Sequence, residues 1–134
     1  MTNENAQQKY LEFQLLSRQS NIMNQQVQLI SNKIAELKLL IESMDELSNL
    51  KTGHEILVPI GPGILINTSV KNNNQVLMNI GANIVVNKSV EDSKKIIESQ
   101  INDLENAFQQ SEKDLIALNS ELDSLRKEIQ YSDE

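Results

Sequence analysis

Counting in sevens from Phe13 gives Phe13, Ser20, Val27, Ile34 and Ile41, and the positions three residues further on are Leu16, Met23, Ile30, Leu37 and Met44. Only Ser20 in this set is polar. Apolar residues alternating at three and four positions keep one narrow seam turned toward a partner, which predicts a supercoiled helix over residues 5 to 52. At about 1.5 Å per residue it would be ~70 Å long, too long to be the interior element of a small domain. Gly53 offers the left-handed conformation that commonly closes a helix. A second stripe joins Ile101, Phe108, Leu115, Leu122 and Ile129 to Ile97, Leu104, Ser111, Leu118 and Leu125. It predicts a helix over residues 89 to 131, started by the Ser89 hydroxyl accepting from a free backbone N–H, with Glu91 and Asp92 at the positive end of the helix dipole.

Between the stripes the period changes. Residues 53 to 88 hold all four glycines and both prolines, Pro59 and Pro62. Four short aliphatic runs, 55–60, 64–70, 75–80 and 83–87, are broken by Gly61-Pro62-Gly63, Asn72-Asn73-Asn74 and Gly81-Ala82, residue types that accept turn geometry. Two β-hairpins are predicted. The alternation of Ile64, Ile66, Thr68 and Val70 with Leu65, Asn67, Ser69 and Lys71 predicts one buried and one largely wet face. So small a sheet cannot build its own core, and its open edges invite pairing with another chain. Oligomerisation is therefore assigned to this segment, through Val58, Ile60, Ile64, Ile66, Val70, Val76, Met78, Ile80, Ile84, Val85 and Val86.

Two helices of similar length around a small sheet fold most economically as an antiparallel coiled-coil hairpin with the strands at its turn. The fold class is α+β and residues 1–134 form a single domain. Parallel pairing between chains would satisfy the heptads equally. The second seam is flanked by Glu98, Glu105, Glu112, Asp114, Glu121 and Glu128 and the first by Lys33 and Lys38, which favours pairing unlike helices.

Composition narrows the function. Aromatic residues are only 3% of the chain, so the apolar content is aliphatic, and the net charge of −7 opposes binding to nucleic acid or anionic lipid. Without cysteine there is no thiol chemistry, disulfide or zinc ribbon. No signal peptide or membrane span is expected, and a cytoplasmic protein is. The sequons at Asn67 and Asn87 then read as chance matches. His54, the only histidine, reads as a solvated boundary residue and not as a metal ligand or triad base. Gly61-Pro62-Gly63 lacks the Gly-Lys-Ser/Thr ending of a phosphate loop. Asp103 with Glu105, and Asp133 with Glu134, read as solvated surface, and Met23 and Met44 as seam packing. No catalytic residue, metal or cofactor is expected.

The segment from Glu55-Ile-Leu-Val-Pro-Ile-Gly-Pro-Gly-Ile through Val76-Leu-Met-Asn-Ile-Gly-Ala-Asn-Ile-Val-Val-Asn-Lys-Ser-Val-Glu-Asp-Ser resembles the alpha class of the prefoldin family. The likeness covers the order helix, two hairpins, helix, and four strands resemble the alpha class more than the beta class. Asn83 and Asn87 stand where the family often has Gly or an acidic residue. The resemblance implies a hexameric, ATP-independent cochaperone of two alpha-class and four beta-class chains. Their hairpins would close a double-barrel platform from which six coiled coils project. Unfolded proteins would be held at the tips and passed to a cytosolic group II chaperonin.

At the helix ends Tyr10, Leu11, Phe13, Leu15, Leu16, Leu122, Leu125, Ile129 and Tyr131 are more apolar groups than a two-helix seam covers. Exposed by fraying, they would hold apolar client segments without sequence selectivity, and several weak tips on one platform would gain avidity. The competing reading is a structural coiled-coil tether or scaffold with one dedicated partner.

Overall fold

The computed structural model describes residues 2–132, so the acidic pair Asp133 and Glu134 lies outside the described residues. Six elements follow in order: α1 Thr2–Asn49, β1 Glu55–Gly61, β2 Ile64–Ser69, β3 Gln75–Gly81, β4 Ile84–Ser89 and α2 Val90–Ser132. They divide into two compact units. One joins α1 up to Ile34 with α2 from Asp103 onward, and the other is residues 35–102.

In the first unit the predicted seam is the covered stripe. Leu118 and Leu125 are buried, and Phe13, Leu16, Met23, Val27, Ile30 and Ile34 are half-buried, as are Leu104, Phe108, Leu115, Leu122 and Ile129. Ser20, the polar exception, is buried and donates its hydroxyl to Asn119 Oδ1 at 2.7 Å, which answers the need of a polar group inside a seam. Lys9 Nζ lies 3.7 Å from Glu128, and the Arg126 guanidinium stands 5.8 Å from the Phe13 ring centre. Partners that fall along α2 as they rise along α1 make this pair antiparallel. The chain folds back on itself, so parallel pairing between chains is not what its heptads serve.

In the second unit Leu37, Met44, Ile97 and Ile101 are buried and Ile41 is half-buried. Ile97 is 3% exposed, and burying a side chain of this size contributes on the order of 2–3 kcal/mol. An Asp45–Lys94 ion pair crosses between the helices. The α2 start is capped as expected, with Asp92 N–H donating to Ser89 Oγ at 3.0 Å. At the other end the expectation needs correcting. α1 stops at Asn49, and Gly53, at φ +90°, does not close it but turns the chain so that its N–H donates to Val70 O at 2.7 Å. The helix end is instead capped by Asn73 Nδ2, which donates to Leu50 O at 2.8 Å.

The strands form two separate antiparallel hairpins, β1 with β2 and β3 with β4. In the first, Ile56 faces Thr68 and Val58 faces Ile66; in the second, Val76 faces Lys88 and Met78 faces Val86. The registers are the same pattern displaced by twenty positions, with a bulge at Gly61 in one and Gly81 in the other. Sequence follows: Leu57/Leu77, Ile60/Ile80, Gly61/Gly81, Ile64/Ile84, Asn67/Asn87, Ser69/Ser89 and Val70/Val90 are identical pairs. The turns differ. Pro62 precedes Gly63 at φ +73°, the sign pattern of a type II turn. Ala82 at φ +51° and Asn83 at φ +61° have the left-handed pair of a type I′ turn, so Asn83 belongs to the turn and β4 begins at Ile84.

Candidate functional site

Each hairpin ends on a valine held by the body of the unit. Val70 N–H donates to His54 O and Val90 N–H to Asn74 O, both at 2.9 Å, and each valine is only 5% exposed. Val70, predicted on the buried face, is thus covered within the single chain, where it anchors the hairpin. Val58, Val76, Met78 and Val86 are half-buried, while Ile60, Ile64, Ile66, Ile80, Ile84 and Val85 are exposed. The predicted burial of Ile64 and Ile66 is therefore absent from the single chain: a two-stranded hairpin has no second layer to cover either face. Leu57, Leu65 and Leu77 are exposed as well, Leu77 at 75%. Sequence reasoning missed these three because simple alternation gave Leu65 to the wet face. The hairpins are aliphatic on both sides.

The predicted tip residues divide into two groups. Tyr10, Leu11, Leu15 and Tyr131 are exposed, Tyr131 at 76%. Leu125 is buried, and Phe13, Leu16, Leu122 and Ile129 are half-buried members of the seam. These five belong to the covered stripe of the first unit. Two further exposed residues, Ile22 and Leu29, continue from Leu15 at intervals of seven along the outer side of α1. A count that followed only the seam could not find them. This stretch of α1 carries little charge, since between residues 13 and 32 Arg18 is the sole charged side chain. On α2 from Asp103 onward only Ile116 and Tyr131 are large exposed apolar groups.

Polar chemistry is sparse. A cleft of about 860 Å³ in the second unit is lined by Asp45, Asn73, Asn74, Ser89, Glu91 and Lys94, among others. Its Lys94 ammonium is held above its ordinary range, first by the hydrogen bond to Asp45, against a smaller opposing effect of desolvation. The two charges satisfy each other. Ser93, by contrast, is fully buried, and its Oγ has no hydrogen-bond partner among the described residues. His54 is exposed, and among the described residues no group of acidic or histidine side chains is arranged to hold a metal. No helix among the described residues is long and apolar enough to cross a membrane.

Comparison with known proteins agrees with this arrangement. The prefoldin subunit family model matches residues 16–132. Prefoldin subunit alpha of Thermofilum pendens is 32% identical over 60 residues, 45% of this chain and 46% of that protein, so the match spans about half of the relative. Prefoldin subunit alpha 1 of Methanocaldococcus jannaschii is 28% identical over 113 residues, 81% of this chain and 79% of that one. Among solved structures, the filamentous PFD of M. jannaschii has a TM-score of 0.75 at 23% identity, over 86% of this chain and 95% of that one. The prefoldin beta subunit of Thermococcus strain KS-1 has a TM-score of 0.63 at 18% identity, over 98% and 96%. Two long helices around two hairpins and a family match across most of the length lead to one conclusion, which the alpha-named relatives support: the chain belongs to the prefoldin family.

Proposed function

We propose that the chain is a subunit of an ATP-independent holdase that keeps non-native proteins from aggregating in the cytoplasm and delivers them to a group II chaperonin. Two copies would join four beta-class subunits. Their hairpins would close an intersubunit barrel that satisfies the strand edges and buries Ile60, Ile64, Ile66, Ile80, Ile84 and Val85. The observation that carries this reading is the placement of uncovered aliphatic surface on hairpins too small to cover themselves. Capture falls to Tyr10, Leu11, Leu15 and Tyr131, which are exposed already, with Phe13, Leu16, Leu122, Leu125 and Ile129 joining where the helix ends fray. Binding by several weak apolar sites needs no energy input, because avidity arises from effective concentration. No catalytic role is assigned to the chain.

The test removes residues 1–13 and 126–134 and follows light scattering of several unrelated denatured proteins. Assembly should survive while suppression of aggregation is lost; full suppression by the truncated subunit would contradict the assignment of capture to the tips. The seven-residue spacing of Leu15, Ile22 and Leu29 gives a tether with one dedicated partner helix its best support. A tether would leave unrelated denatured clients to aggregate, whereas a holdase keeps several soluble at near-stoichiometric amounts.

A further inference from the structure

The two helices of the first unit differ in charge as well as in exposed apolar surface. From Phe13 to Asn32 α1 has Arg18 as its one charged residue, while from Asp103 to Asp123 α2 has six carboxylates against Lys113. Steps of seven put these differences on a definite side of the pair. Glu12, Gln19 and Gln26 form one row on α1, and Asp114, Glu121 and Glu128 form one on α2; all six are exposed. Glu12 and Leu16 share a shallow depression of about 200 Å³ with Glu121, Ser124, Leu125 and Glu128, so the two rows border the same side of the seam. Glu128 has Lys9 at 3.7 Å, and Asp114 accepts from the uncharged Gln110 amide at 3.0 Å. The row stays acidic.

Leu15, Ile22 and Leu29 stand three and four residues from Glu12, Gln19 and Gln26, which makes them neighbours on the helix surface, one row further from the seam. Across this side run an aliphatic row, a row of amides headed by Glu12, and a row of carboxylates. Arg18 lies on the far edge of the aliphatic row, between Leu15 and Ile22. The aliphatic row starts within the tip set, at Leu15, and prolongs that surface by about 20 Å. A partner that sets one apolar residue against each member must present them about 10 Å apart, as a helix with a seven-residue repeat does. One flank of that helix then lies over the carboxylates, where lysine or arginine is attracted and aspartate or glutamate repelled. A second copy of the chain, itself at net charge −7, is a poor match.

We propose that this side of the coiled coil is a charge-selective extension of the capture surface. Its occupant is a helical segment of a non-native protein, with apolar residues along one stripe and lysine or arginine on the side facing Asp114, Glu121 and Glu128. This rests on the reading of the chain as a holdase subunit. The test uses the complex of the full chain with beta-class subunits and two helical peptides of the same leucine repeat, one flanked by lysine and one by glutamate, followed by fluorescence anisotropy. The lysine peptide should bind at least about tenfold more tightly. Ile22→Ser with Leu29→Ser should weaken it about tenfold, since both side chains are exposed and their loss leaves the seam intact. Asp114→Asn with Glu121→Gln should bring the two peptides within about threefold of each other. The same pair should impair suppression of aggregation for a basic denatured protein and spare an acidic one.

Equal binding of both peptides by the wild type, a preference that survives Asp114→Asn with Glu121→Gln, or full affinity in the serine pair would overturn the proposal. A serine pair that loses self-association in ultracentrifugation while binding the lysine peptide normally would make a second copy the occupant instead. Suppression of aggregation by the wild-type complex separates this proposal from the reading it rests on. Where suppression holds and the peptides fail to discriminate, only the charge-selective surface falls; where the wild type suppresses no client, the holdase reading falls as well.

Discussion

The helix seam and the hairpins are equally aliphatic, yet only one of them is covered by its own chain. None of the predicted seam positions on either helix is exposed, whereas Ile60, Ile64, Leu65, Leu77, Ile80 and Ile84 all stand in solvent. A seam needs one partner helix, and the chain carries it. A hairpin needs a second layer and two edge partners, and the chain carries none of these. Self-sufficiency thus separates the part that folds from the part that assembles.

Charge placed on the hairpin faces should break the comparison most severely. Ile64→Asp with Ile84→Asp would bury unpaired carboxylates in the intersubunit sheet, lowering assembly affinity by roughly a hundredfold or more by analytical ultracentrifugation. Helical circular dichroism of the lone chain should not change, because both residues are exposed there. In the seam the order reverses: Ile97→Ala should destabilise the lone chain by about 2–4 kcal/mol in urea unfolding. Ser93→Ala sharpens the picture of packing around the helix start. Removing a buried hydroxyl without a partner should raise stability by about 1 kcal/mol, and a clear loss would show that this hydroxyl is bonded in solution.

The smallest effect belongs to Lys94. Its raised pKa means that the Asp45 pair contributes stability that is fully present at neutral pH, below the ordinary lysine value of 10.5. That contribution is lost as pH rises through the higher folded-state value. Lys94→Met should therefore lower Tm slightly at pH 7, with the difference from wild type closing above pH 10.5.

The helices, their antiparallel fold-back, both hairpins and the Ser89 cap were legible because each is written in local signals: a 3.5-residue period, Gly and Pro breaks, a hydroxyl before two acids. What escaped depends on residues distant in the chain. Nothing local says that Asn73 reaches back to Leu50, or that Gly53 serves Val70 instead of the helix end. The tip set was half legible, since pattern alone cannot separate Leu125, which packs inward, from Tyr131, which does not. The outward series Leu15, Ile22 and Leu29 was visible in the sequence at the same period as the seam, but offset from it, and burial was needed to give it meaning.

Native mass spectrometry of the complex recovered from source cells, with this chain tagged at low expression, tests the central claim most directly. Two copies of this chain with four copies of other small chains is the predicted result. A lone monomer, a homodimer without other chains, or one large fixed partner would contradict it.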